Sequence, residues 1–147
     1  MKEADKQKRV YDLEERLITF AVRIMTVVEA LPKTRAGNHV AAQLLRCGTS
    51  PAANYAEAQS AESRNDFIHK MKVALKELRE ARVWLQISQR KPLVQRPHRL
   101  QPLDSENNEL IAFSSPASRQ RPAKKKRDVT RTSPFDIQSS IFDISLI

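Results

Sequence analysis

With 147 residues, two glycines and a single cysteine, the chain is long enough for one hydrophobic core and not two, and it can form neither an internal disulfide nor a multi-cysteine zinc site. Its 26 Lys and Arg against 17 Asp and Glu leave a formal net charge of +9, which favours anionic partners such as RNA or DNA through counterion release and long-range steering. The opening MKEADKQKRV lacks the apolar stretch of a secretory signal, and no apolar run approaches the roughly 20 residues of a membrane-spanning helix, so a cytoplasmic protein with no membrane partner is expected.

Leu13, Leu17, Phe20, Ile24, Val27 or Val28 and Leu31 recur at steps of three and four, with Glu14, Glu15, Arg16 and Arg23 on the opposite side. This predicts an amphipathic helix over residues 12–31, stopped by Pro32. A second helix, residues 34–61, starts with Thr34 as N-cap and lines up Val40, Leu44 and Cys47, with Ala41 and Leu45 beside them. Inside it the local rules conflict. Gly48 suits a C-terminal cap, Ser50 an N-cap and Pro51 a first helical position, which permits two short helices meeting at Gly48-Thr49-Ser50. A continuous helix kinked at Pro51 is the preferred reading, with Gly48, Ala52 and Ala53 admitting a close neighbour. Cys47 reads as a small packing residue rather than a nucleophile, because only Arg46 hints at the electropositive setting that a reactive thiol needs.

Ser63 with Asp66 reads as a capping arrangement for a third helix, residues 64–90. Along it Phe67, Met71, Ala74, Leu78, Ala81 and Leu85 keep the three-four alternation of a bundle seam. Ile68, Leu75 and Val83 widen the face enough to meet two neighbours. Pro92, Pro97 and Pro102 then predict a loop from Lys91 to Leu103. A weak fourth helix over residues 104–115 follows, capped by Asp104 or Ser105 and carrying Leu110, Ile111 and Phe113. So short a helix is expected to leave apolar seam on the first and third helices exposed unless another subunit covers it.

Residues 116–147 read as a separate region. Arg119, Arg121, Lys124, Lys125, Lys126, Arg127 and Arg131 against Asp128, with no periodic apolar residues, predict a disordered basic tail. The last stretch repeats Phe-Asp-Ile at Phe135–Ile137 and Phe142–Ile144, either an extended reading frame or a peptide that docks on a partner. The fold expected from these elements is all-α: an antiparallel up-and-down four-helix bundle over residues 1–115 with a weak fourth helix, followed by the basic tail.

Several residues carry a resemblance to a known family: Tyr11-Asp12-Leu13-Glu14, Gln43-Leu44-Leu45-Arg46, Gly48-Thr49-Ser50, Ala53-Asn54-Tyr55 with Glu57-Ala58, Ser63-Arg64, Asp66-Phe67-Ile68 with Lys70, and Lys76-Glu77 leading to Trp84-Leu85. Over roughly residues 10 to 90 the chain resembles the bacterial 23S ribosomal RNA intervening-sequence protein family. The resemblance implies a four-helix bundle, one continuous second helix and a homo-oligomer, typically a ring-like pentamer. Relatives act as accessory subunits that bind reverse transcriptase and RNA in diversity-generating retroelements. No catalytic residues and no cofactor come with it.

The residues themselves agree that enzyme activity is not expected. His39, His69 and His98 have no partner at metal-ligand spacing, so no metal site is expected, and there is no glycine-rich phosphate loop. Asn54 and Glu57 share a helix face beside Tyr55 and, with Leu78 and Trp84, read as helix-interface residues rather than a ligand site. Arg46, Arg64, Lys70, Arg79 and Arg82 are spread along the second and third helices and, with the tail from Arg119 to Arg127, are the candidate nucleic-acid contacts. Backbone contact is expected in place of base readout, since no reading motif is present. The alternative is a protein-interaction scaffold whose positive charge is incidental.

Overall fold

The computed structural model describes residues 3–115, with side chains from Asp12 onward. The basic tail and the Phe-Asp-Ile repeat lie outside the described residues. Four helices follow one another as α1 (Glu3–Ala30), α2 (Arg35–Gln59), α3 (Arg64–Arg90) and α4 (Gln101–Ser114), with a single 3-10 turn, Pro97–Leu100, leading into α4. Among the described residues there is no strand. Each helix packs on the next and α4 returns to α1. The cross-helix contacts run in opposite residue order: Arg46 meets Glu77 and Glu80 while Glu57 meets Lys70, and Asp104 faces Arg82 while Asn107 reaches Leu78. This is an antiparallel up-and-down four-helix bundle.

The helix ends follow local chemistry. Thr34 Oγ1 accepts from the Gly37 amide at 3.1 Å and opens α2, and Ser63 Oγ accepts from the Asp66 amide at 3.1 Å and opens α3. Asp66 in the first turn of α3 and Arg90 in its last turn each suit the helix dipole. α2 runs unbroken through Gly48-Thr49-Ser50 and through Pro51, whose missing amide leaves the Cys47 carbonyl without its usual helical donor.

Two expected boundaries move. α1 begins at Glu3 rather than at residue 12; its first turns are charged and show no apolar periodicity by which a sequence reading would detect them. α4 begins at Gln101 rather than at residue 104, and neither Asp104 nor Ser105 caps it. The proline spacing predicted a loop up to Leu103, but Pro97 opens the 3-10 turn and Pro102 sits in the first turn of α4, where a helix has no use for the amide that proline lacks.

The core is one cluster. It joins Leu13, Leu17, Phe20, Ile24, Val27 and Leu31 of α1 to Val40, Leu44, Cys47 and Tyr55 of α2 and to Met71, Leu78, Ala81 and Leu85 of α3. Leu100, Leu103 and Leu110 close it, with Val94 from the α3–α4 connection. The expected exposure of the α1 and α3 seams is therefore not found, because α4 starts early and its 3-10 entrance adds Leu100. Burial of each leucine, isoleucine, valine, phenylalanine or methionine in this cluster stabilises the fold by about 1.5 to 3 kcal/mol relative to leaving it in water. Arg23, expected on the solvent side with Arg16, is only 7% exposed, and Arg16 is half-buried, since α4 covers that edge of α1.

At Gly48, near the middle of α2, the helix backbone comes close to α1. A Cβ on Gly48 would lie 2.5 Å from Cγ2 and 2.8 Å from Cγ1 of Ile24, a fully buried β-branched side chain with one preferred rotamer in a helix. Gly48→Ala gains about 1 kcal/mol of helix propensity, but the overpacking it causes costs about 1 to 3 kcal/mol. A net loss is expected, read as a Tm lowered by a few degrees in thermal unfolding followed by circular dichroism. One residue away, the Cys47 thiol is buried and donates to the Leu44 carbonyl at 3.7 Å. Burial, reinforced by the nearby Glu80 charge, pushes the thiol up to about 12, so it stays protonated at neutral pH. The native protein should resist alkylation at pH 8 and react at an ordinary thiol rate once unfolded in guanidinium, as measured by mass spectrometry.

Candidate functional site

The two central helices place the five bundle cations proposed from sequence in different surroundings. Arg46 on α2 donates from Nη1 to Glu77 Oε2 at 2.9 Å and from Nη2 to Glu80 Oε1, so one guanidinium bridges two carboxylates of α3. Lys70 pairs with Glu57 across the same seam near the other end of α2. Arg82 turns to the opposite edge of α3, with Nε 3.7 Å from Asp104 Oδ1 on α4. Arg64 and Arg79 are exposed and make no ion pair among the described residues. Arg46 and Lys70 thus lie at one edge of α3 and Arg82 at the other, so the five cations do not form one stripe. Arg119, Arg121, Lys124, Lys125, Lys126 and Arg127 lie outside the described residues.

The pairing has electrostatic consequences. The hydrogen bond from Arg46 holds the Glu80 carboxyl below the usual carboxylate range, and Glu80 and Glu57 raise Arg46 and Lys70 respectively. A carboxyl with a lowered pKa stays ionised as pH falls until its own depressed value is reached. Arg46 therefore keeps its partner across the whole neutral and mildly acidic range. These contacts are exposed and weakened by salt, yet any phosphate approaching Arg46 or Lys70 competes with a carboxylate already in place.

The acidic side of α4 removes further cations from the surface. Arg16 donates in a fork to Glu106 at 2.9 and 3.1 Å and also to Glu109 at 3.0 Å. Burial opposes the charge of Arg23, and the field of Glu106 supports it. Asn107, fully buried, donates from Nδ2 to the Leu78 carbonyl at 3.1 Å. Charge and hydrogen bonding thus add to the burial of Leu103 and Leu110 in docking α4.

The interface candidates are also placed. Asn54 donates from Nδ2 to the Ser50 carbonyl at 3.0 Å and to Ser50 Oγ at 2.9 Å, inside its own helix, where it braces the turn around Pro51. Tyr55 and Leu78 are buried in the core. Trp84 is half-buried; its Nε1 donates to Glu80 Oε1 at 3.3 Å, and its ring meets His39 edge to face with centroids 5.5 Å apart. Among the described residues no group of three His, Cys, Asp or Glu is placed to hold a metal ion, and no helix is long and apolar enough to cross a membrane.

Two features escaped the sequence reading. One is the set of carboxylate partners, although Glu77, Glu80 and Trp84 share an edge of α3 by their spacing of three and seven. The other is a second apolar face on α1. Ile18, Val22 and Met25, at spacings of four and three, are 45%, 44% and 47% exposed, directly opposite the core stripe. Val83 and Ile87 on α3 and Leu45 on α2 are exposed as well. Val83, expected to meet a second neighbour, is 55% exposed.

A family model described as 23S rRNA-intervening sequence protein matches residues 10–114. The solved structure of a protein of unknown function from the S23 ribosomal protein family of Bacteroides thetaiotaomicron VPI-5482 is similar at 31% identity with a TM-score of 0.65. That similarity covers 71% of this chain and 93% of the other. No curated protein matches. The matched residues run from just before the first core leucine, Leu13, to the last residue of α4, so they span the whole packed bundle. The chain belongs to the 23S rRNA-intervening sequence protein family.

Proposed function

We propose that this chain is a non-enzymatic, self-associating accessory protein of the cytoplasm that binds the phosphate backbone of RNA or DNA within a ribonucleoprotein. The observation that carries the reading is the cation excess: a net charge of +9, with exposed cations among the described residues that form no ion pair. Charge that answers no internal carboxylate is available to phosphate. Backbone contact is favoured over base readout because the cations are dispersed and no helix presents a run of base-reading side chains. A reverse transcriptase is the protein partner suggested by the family resemblance.

Self-association rests on the second apolar face of α1. Three large apolar side chains in one stripe, each nearly half exposed, suit a helix that meets another copy of the bundle. A ring-like pentamer is the assembly proposed. Light scattering should give about five times the 16.8 kDa of one chain. The pair Val22→Asp and Met25→Asp should reduce the mass to that of a single chain with helicity retained, because both positions lie outside the core. A wild-type mass of one chain would remove this part of the reading.

Binding to an RNA or DNA duplex should weaken steeply with salt, with log Kobs falling by about 0.9 per tenfold rise in salt for each phosphate engaged, and should vary little with sequence. Fluorescence anisotropy over several salt concentrations measures both. Absence of binding to either duplex near 100 mM salt would favour the second reading, a protein-interaction scaffold, which the apolar face of α1 supports independently.

A further inference from the structure

The antiparallel order brings the α1–α2 loop and the α3–α4 connection to the same end of the bundle, and the charge there is one-sided. Residues 29–39 and 89–103 hold Lys33, Arg35, Arg90, Lys91, Arg96 and Arg99, with Glu29 as the one carboxylate. The α2–α3 connection at the other end, residues 57–70, is balanced differently, with Glu57, Glu62 and Asp66 against Arg64 and Lys70. Lys33, Arg35, Arg90, Lys91 and Arg96 are all exposed, and none has an ion-pair partner among the described residues.

The two segments lie at the same end of the bundle, one joining α1 to α2 and the other α3 to α4. The His39–Trp84 ring contact joins the second turn of α2 to the upper part of α3. Arg35 lies one turn before His39, and Arg90 lies six residues beyond Trp84, about 9 Å along α3 at 1.5 Å per residue. The connection between Lys91 and Arg96 is anchored by Val94, which is buried in the core, and by the Leu93 amide donating to the Ser88 carbonyl at 3.0 Å. The Arg96 carbonyl accepts from the Arg99 amide at 3.0 Å as the 3-10 turn starts. The cations therefore stand on an ordered surface, in contrast to Arg46, Lys70 and Arg82, which carboxylates already engage.

We propose that this end of the bundle, with Lys33, Arg35, Lys91 and Arg96, grips the phosphate backbone of a nucleic-acid duplex. The proposal rests on the nucleic-acid reading above and assigns its contact surface. Helix axes 8 to 10 Å apart make the end of a four-helix bundle about 20 Å across, wide enough for cations on opposite sides to reach phosphates flanking a groove of about 12 Å. A single strand is the poorer fit, because it is held by stacking on aromatic platforms. Among the described residues the one Phe, Tyr or Trp near this end is Trp84, which is half-buried against His39.

The test compares full-length variants that each lose four charges. The end variant carries Lys33→Gln, Arg35→Gln, Lys91→Gln and Arg96→Gln; Arg90 is kept because a cation in the last turn stabilises α3. The flank variant carries Arg64→Gln, Lys72→Gln, Lys76→Gln and Arg79→Gln, and the tail variant carries Lys124→Gln, Lys125→Gln, Lys126→Gln and Arg127→Gln. Each is titrated with a fluorescent RNA duplex and with a DNA duplex of the same sequence. The end variant should lose about 3 to 4 from the magnitude of the log-log salt slope and on the order of tenfold or more in affinity near 100 mM salt. The flank variant should keep the wild-type slope to within about 1. The conservative pair Lys33→Arg and Lys91→Arg should bind as wild type, which separates charge from fold if the end variant melts early. A wild-type slope in the end variant, or its full loss in the tail or flank variant alone, overturns the assignment while leaving nucleic-acid binding standing. A wild-type protein that binds neither duplex overturns both. Loss with RNA only, or with DNA only, supports the assignment and identifies the nucleic acid.

Discussion

The contact between Gly48 and Ile24 governs how the bundle is put together. Where the two helices cross, α2 presents only a hydrogen, so the buried Ile24 side chain can lie against its backbone. That close approach fixes the rotation of α1. Once Ile24 points at α2, the three-four spacing obliges Phe20, Val27 and Leu31 to point into the same core. The same geometry sends Ile18, Val22 and Met25 to the far side, where none of the described elements covers them fully. An apolar core stripe and an apolar outer stripe are thus two consequences of one packing constraint. A longer side chain at position 48 would disturb both.

Charge is organised by a second constraint, the acidity of the edges that meet. α4 turns Asp104, Glu106 and Glu109 toward Arg82 and Arg16, and α3 turns Glu77 and Glu80 toward Arg46. A cation that lies beside a helix seam in this protein generally finds a carboxylate across it. Lys33, Arg35, Arg90, Lys91 and Arg96 at the chain reversals, with Arg64 and Arg79 of α3, pair with no carboxylate among the described residues. Net charge alone would have spread the candidate sites evenly over the surface. Pairing geometry removes Arg46, Lys70 and Arg82 from first consideration and promotes the loop residues, even though loops drew little notice in the sequence.

The existence of all four helices, the caps at Thr34 and Ser63 and nearly the whole core were legible in the sequence, because period, cap chemistry and burial agree there. Leu78, Leu85, Leu44 and Phe20 needed only their spacing to be placed. The start of α4 was misread because Pro102 reads equally as a breaker and as a first-turn residue, and only its position relative to Gln101 decides which. Arg23 was misread because a charged side chain opposite an apolar stripe is ordinarily solvated; its burial depends on α4, a helix distant in sequence. The ion pairs were illegible for the same reason. Glu77 and Glu80 are visible as an edge of α3, but that the edge faces Arg46 follows from the register between α2 and α3, which no local pattern encodes. Ile18, Val22 and Met25 were legible as a stripe and were passed over because the core stripe on the other side explained the helix sufficiently.

In the proposed assembly the two features left unsatisfied by the single chain belong together. The outer apolar stripe runs along the side of α1, whereas the cations lie at the end of the bundle, so copies joined side by side would leave that end uncovered. Side-by-side copies that share one axial orientation would repeat the cationic end on one rim. Four exposed cations on one copy hold a phosphate backbone weakly under physiological salt, since each contact is worth little once counterions are abundant. Repetition on a rigid rim changes this: after the first copy engages, the others act at an effective concentration set by the ring and not by the solution. A bundle whose own faces are nearly charge-balanced can then bind nucleic acid without a large basic surface on any one subunit. The number of copies on the rim, more than the charge of each, sets the affinity.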